Sequence, residues 1–289
     1  MAIYYYAYSG HKYGLDRVKR GVALIKAMQA QGVEVNLLLN DFRAGLAAKE
    51  LGAVDSVTIE TILDIDVIAE KGDTLFIDSP EDDRGKLEKY SSEYKPLFRV
   101  VDSSDEIASY GEVLMKPYCK DGLESLSSII VDRDYFTAGT KEERVLFFFG
   151  DADYDKVILS NAEFFEGMEM DLLLGQYFFV KYEDDLAQIF ERLHEPEEYR
   201  DLICSSSRVV TSSLQTALDA RAAEADVIYI KKPADAESLL HQLERFGIKI
   251  IEGFDREELI KALDAQKDVK KVPNDIDITA KNIIDSIFL

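Results

Sequence analysis

Cysteine is nearly absent from this sequence. Cys119 and Cys204 are the only two in 289 residues. They stand in opposite halves, with neither metal-ligand spacing nor partners for a disulfide framework, so both are expected as reduced core thiols. Long apolar runs are missing too: none approaches the roughly 18 residues that a membrane span needs. Ile3, Tyr4, Tyr5 and Tyr6 make a short apolar run without a basic leader, so no secretion signal is expected and the expected compartment is the cytoplasm. Positive charge is scarce, with 34 Lys and Arg against 56 Asp and Glu and a formal net charge of −22. A surface of that sign repels phosphate backbones and anionic lipid, which sets nucleic acid and membrane aside as partners. No zinc motif, P-loop, nucleophile elbow or complete GxGxxG fingerprint occurs, so neither a metal nor a cofactor is expected.

What is present is an ordinary globular balance, 47% hydrophobic and 31% charged, which argues against disorder. The length suits two domains of ordinary size. Strand-like and helix-like stretches alternate from end to end, which implies parallel sheets joined by crossover helices. Residues 3–8 read as a buried first strand, and Val18, Val22, Leu24, Ile25 and Met28 fall at helical spacing behind it. Strands follow at 33–39, 54–59, 74–78 and 97–102, with helices at 42–51 and one ending near Gly72. Around residues 137–143 the pattern pauses, then restarts with Val145, Leu146, Phe147, Phe148 and Phe149 as a new first strand. Later strands are expected at 170–174, 208–211, 227–230 and 248–251. Helices are expected at 155–165, 184–194, 214–223, 236–246 and 257–264. The reading is two Rossmann-like domains, 1–138 and 139–289, with a cleft between them. Residues 275–289, with Pro273 before them, should form a terminal helix.

In open parallel sheets, ligands bind beyond the carboxyl ends of the strands. That rule singles out His11, Gly14, Asp16, Arg17, Arg20, Asp78, Asp102, Asp151, Asp153, Ser212 and Ser213. Gly10 and Gly14 permit close backbone approach, and the helix behind them offers free amides to an anion. Asp78 and Asp102 each close an apolar strand; either they pair as acid and base or they cap the helices that follow. Arg17 and Arg20 either hold an anionic group or sit as exposed helix residues. His194 and His241 are expected on helices away from the site.

The run from Gly14 through Leu24 resembles the GxGHxxR segment, with its apolar helix, of the nucleotide-sugar hydrolases of pseudaminic acid biosynthesis, which belong with two-Rossmann, GT-B-type glycosyltransferases. Leu75-Phe76-Ile77-Asp78, Asp102 through Glu106, Arg133 to Phe136, Phe148 to Asp153 and Thr211 to Leu218 are similar to that family's later motifs, in the same order. The resemblance implies a GT-B fold whose terminal helix packs back on the N-terminal domain, a small UDP-type nucleotide sugar as ligand, and a C-terminal domain whose serine-rich turn, with Ser212, Ser213 and Gln215, meets the nucleotide. It also implies a catalytic His near the cleft, and here the chain departs. In one register Arg17 stands at the His position and Asp16 at the second Gly. In the other, Gly10-His11 supplies the Gly-His pair but the alignment through Arg20 and Leu24 is lost. Asp151 replaces a glycine in the second domain's first turn, and Thr216 stands where the family's Glu holds the ribose. A guanidinium has no lone pair with which to act as a base. The expected function is therefore a nucleotide-sugar-site protein with an altered site. Two alternatives stand beside it: a non-catalytic binding or scaffold protein that kept the fold, and an enzyme on an unrelated small substrate using Asp78, Asp102 and His11.

Overall fold

The computed structural model describes residues 1–53, 55–117, 126–137, 139–267 and 270–288. Among them, the first sheet runs β1 (Ile3–Ala7), β2 (Asn36–Leu39), β3 (Ser56–Thr58), β4 (Thr74–Asp78), β5 (Leu97–Val100), β6 (Val113–Lys116) and β7 (Leu126–Ser127), in the order β3-β2-β1-β4-β5-β6-β7. The second holds β8 (Glu142–Phe148), β9 (Asp171–Leu173), β10 (Arg192–His194), β11 (Ser206–Thr211), β12 (Asp226–Lys231) and β13 (Lys249–Glu252), in the order β10-β9-β8-β11-β12-β13. Every neighbouring pair is parallel. Both sheets start at a central strand, step outward twice, then return and step out the other way. Each therefore reverses direction beside its first strand, between β1 and β4 and between β8 and β11, and a ligand crevice opens at such a reversal.

Parallel strands covered on both faces read as continuous apolar runs. In β1 the alternate side chains go to opposite layers. Tyr5 stacks toward Phe76 and Phe98 under the first helix (Asp16–Gln29), while Tyr6 joins Leu75, Ile77, Tyr90 and Tyr94 on the other face. The C-terminal helix, Ile276–Phe288, sets Ile276, Ala280 and Ile283 into the core beneath the first helix, and Gln31 Nε2 donates to the Asp277 carbonyl at 2.9 Å. The C-terminal helix thus packs on the N-terminal domain, as the GT-B resemblance implies. No helix among the described residues is long and apolar enough to cross a membrane.

Gly21 fixes how closely the first helix lies on β1. A Cβ there would fall 2.6 Å from Tyr5 Cε1, and Tyr5 cannot swing aside while its hydroxyl donates to Asp78 at 2.9 Å. Gly to Ala inside an exposed helix ordinarily gains about 1 kcal/mol. Here Gly21→Ala is expected to lose about 1–3 kcal/mol through overpacking, read from the urea midpoint; a gain would show that the helix can lift.

Three sequence expectations fail on local grounds. Residues 155–165 are not one helix but a turn at Val157–Ser160 and a 3-10 turn at Ala162–Phe165. Asn161 separates them, its side-chain amide donating to the Val157 carbonyl at 2.8 Å in the competition with the helix that Asn commonly offers. Residues 184–194 are likewise not helical throughout. The helix occupies Val180–Leu186, and His194 lies on a strand that pairs with β9, not on a helix. That pairing joins residues some twenty positions apart and overrides local helical spacing. The helix expected before Gly72 is a 3-10 turn, Ile62–Asp64, and one turn of helix, Ile65–Ile68. The short strands β6, β7 and β10 and the helices Lys86–Glu93 and Tyr199–Ser205 lack a signal of the expected length. Val54, Cys119 and the break at residue 138 lie outside the described residues. Cys204 is partly buried with a free thiol, and burial pushes that thiol up.

Candidate functional site

The carboxyl ends of β1, β4 and β5 face those of β8 and β11 across the domains, and the residues between them meet directly. Asp78, at the end of β4, is fully buried. Its oxygens accept from Arg20 Nε at 2.6 Å, Arg20 Nη2 at 2.5 Å and the Tyr5 hydroxyl at 2.9 Å. Arg20 Nη1 also reaches Asp102 at 3.1 Å, and Arg17 lies 3.5 Å from Asp78 and 3.6 Å from Asp102. Burial would push the Asp102 carboxyl up, but Arg20 and Arg17 outweigh it and hold the group below the usual carboxylate range. Two arginines and two carboxylates thus balance each other. Arg20 is neither exposed nor free for a phosphate, and neither Asp78 nor Asp102 serves as a helix cap.

Asp16 opens the first helix and reaches into the other domain. Its Oδ1 accepts from Ser213 Oγ at 2.6 Å and its Oδ2 from the Gln215 backbone N–H at 3.3 Å. Ser213 is the N-cap of the helix Leu214–Ala222, with the Thr216 N–H donating to its Oγ at 3.1 Å. The first free amides of a helix and its dipole make an anion seat, and in this structure an internal carboxylate fills it. One turn further along, Lys19 Nζ lies 2.7 Å from Asp151 Oδ2, with side chains only 6% and 5% exposed. The ammonium also sits over the Tyr199 and Phe148 rings, 4.0 and 4.8 Å from their centroids. Burial raises the Asp151 carboxyl even though Lys19 opposes it.

The remaining sequence candidates fall around this core. Gly14, with φ +67°, turns its open side toward Asp151, and its N–H donates to the Gly10 carbonyl at 2.9 Å. His11 stands exposed at the mouth, its ring 4.9 Å from that of Tyr177 in the other domain, and Lys12 lies over Tyr154 beside it. Asp153 faces inward, accepting from the Val157 and Ile158 N–H groups at 2.7 and 3.0 Å and from the Tyr182 hydroxyl. Ser212 donates to the Phe149 carbonyl at 2.5 Å, which ties β11 to β8. Gln215 donates to the Ile130 carbonyl and to Asp219 Oδ1, both at 2.8 Å. Asp16, Arg17, Arg20, Asp78 and Asp102 therefore cluster at one end of the first helix, with Ser213 and Gln215 against Asp16. His11 lies at the rim, and Asp153 and Ser212 serve their own domain's backbone. Two voids lined by both domains measure about 10 and 50 Å³, against roughly 300–1,000 Å³ for a typical small-molecule site.

Two functional positions escape sequence reasoning. Lys19 reads as one more charge on a helix, and only the second domain makes it a buried ion-pair partner. Asp219, 2% exposed, accepts from Gln215 Nε2 at 2.8 Å and the Tyr199 hydroxyl at 3.1 Å. Burial lifts its carboxyl to about 7 against the pull of Gln215, Lys19 and Tyr199. A lone acid among Ala217, Leu218 and Ala220 on a short helix was the available signal.

No protein-family profile and no curated protein matches the sequence. Solved structures do match in fold. MnaA from S. aureus with UDP superposes at a TM-score of 0.64, with 11% identity over 99% of this chain and 96% of that one. The UDP-GlcNAc 2-epimerase of Methanocaldococcus jannaschii in complex with UDP-GlcNAc and UDP gives 0.60, with 11% identity over 100% and 99%. MurG of Acinetobacter baumannii gives 0.52, with 12% identity over 99% of both chains. At such identity the likeness establishes the fold, two parallel-sheet α/β domains of GT-B type.

Proposed function

We propose that this chain is a non-catalytic protein of nucleotide-sugar ancestry: it keeps the GT-B fold, with the domains dividing near residue 138, while side chains of its own fill the cleft. Structures of like fold hold UDP and UDP-GlcNAc, which supports that ancestry. The loop motifs favour a diverged relative of the pseudaminic-acid hydrolases. The single observation that carries the reading is the Asp16 carboxylate seated on Ser213 and the Gln215 amide. It puts negative charge where an incoming diphosphate would need bare amides, and the buried Asp151 adds a second acid one turn away.

The chemistry points the same way. Hydrolysis of a nucleotide sugar needs a base for water, and such a base typically contributes about 10²–10⁴-fold. Asp16, Asp78 and Asp151 each have donors on their oxygens, Arg17 has no lone pair, and His11 stands at the rim. Purified protein incubated with UDP-linked amino sugars is expected to release no UDP above the buffer rate, followed by phosphorus NMR. Turnover abolished by His11→Ala would overturn the reading and make His11 a base; turnover abolished by Asp16→Ala would assign that role to the carboxylate.

A further inference from the structure

A cavity lies far from the cleft, at the amino-terminal edge of the second sheet. About 1,000 Å³ opens between the start of β8, the stretch before β9 and the stretch before β10. Its floor sets apolar side chains among polar ones: Val145, Met168 and Ile189 are partly exposed, and Phe165 and Met170 are buried beneath them. Two of the chain's five methionines are here, and flexible thioethers suit a surface that moulds to an inserted side chain. Exposed carboxylates edge the floor. Glu143, Glu166, Glu169 and Glu191 carry no ion pair among the described residues. The arginines beside them are already engaged: Arg144 with Asp171 at 3.1 Å and with Glu142, and Arg192 with Asp171 at 3.9 Å. His194 takes the same Asp171 at 3.1 Å. Arg256 donates to the Glu166 carbonyl at 2.9 Å at one edge, and with carboxylates outnumbering arginines in the lining the groove stays acidic.

We propose that this groove docks a basic amphipathic helix of a partner protein. The apolar stripe lies on the Met168–Ile189 floor, and Lys or Arg side chains on its flanks meet the four free carboxylates. Charge complementarity selects the occupant. A bare polycation would leave the floor uncovered, a neutral apolar segment would leave the carboxylates unanswered, and a second copy of a chain with net charge −22 would approach against its own field. The groove is separate from the cleft, so this partner is independent of any nucleotide bound there.

The test uses a fluorescent Lys/Leu peptide of about four helical turns, with one apolar stripe, read by anisotropy on the full chain at physiological salt. Saturable binding is expected. The triple variant Glu143→Lys/Glu166→Lys/Glu191→Lys and the single variant Met168→Asp should each weaken it by about tenfold or more. A control, Glu34→Lys/Glu88→Lys/Glu244→Lys, changes net charge equally at exposed sites elsewhere and should stay within about threefold of wild type, the modest effect of remote charge at this ionic strength. Equal losses in both triple variants would reduce the binding to general acidity and overturn the proposal. So would equal binding of a scrambled peptide without a stripe, or a self-association in sedimentation that the groove variant abolishes.

Discussion

Lys19→Met is expected to cost about 3–5 kcal/mol of folding stability, the usual consequence of stranding one partner of a buried ion pair. The pair is closely engaged at 2.7 Å, nearly solvent-free, and capped by two aromatic faces. Without the ammonium, Asp151 is left ionised in a site that already pushes its carboxyl up by burial. A raised folded-state carboxyl weakens the fold as pH climbs above the ordinary value, so the loss should be small near about pH 4 and grow as pH rises. The double variant Lys19→Met/Asp151→Asn should recover much of it, because the stranded charge is gone. Urea denaturation of the four proteins closes the cycle. A single variant as stable as wild type would mean that water reaches this contact.

The second large effect has the opposite sign. Asp219→Asn should stabilise the protein at pH 8 and leave it nearly unchanged at about pH 4. Burial holds the Asp219 carboxyl at about 7 against an ordinary 3.8. Between those values the unfolded chain ionises the group while the folded chain keeps it protonated, so stability falls with rising pH across that window and levels off above it. Roughly three pH units at about 1.4 kcal/mol each set a ceiling near 4 kcal/mol. Asn keeps the geometry, accepting from Gln215 and donating to the Tyr199 hydroxyl, which can still donate to Thr216 at 2.9 Å. The difference between variant and wild type, followed from acid to mild alkali, isolates this group from the many surface carboxylates. A flat difference would show that Asp219 is ionised in the fold.

The architecture was legible because it rests on local pattern. The apolar runs at 3–8 and 208–211, each followed by a helical stripe, give parallel crossover units whatever they bind. β10 was illegible for the converse reason: Arg192, Leu193 and His194 form a strand only because β9 lies beside them. The site followed the same division. Which charged residues stand at the strand ends could be read. Which partner answers could not be read. Lys19 meets Asp151 across 132 positions, and the Leu214 helix meets Asp16 across 197. Arg17 and Arg20, which looked ready for an outside anion, hold Asp78 and Asp102, and nothing in residue type or spacing distinguishes an external anion from an internal one.

The central claim is that the chain's own carboxylate occupies the anion seat of its second domain. Calorimetric titration of millimolar UDP into wild type and into Asp16→Gly tests it most directly. The account predicts no binding to wild type. It predicts measurable binding to the variant, with a rise in melting temperature as UDP increases, because a ligand that prefers the native state must stabilise it. Tight binding of UDP to wild type, unchanged or weakened by Asp16→Gly, would contradict it.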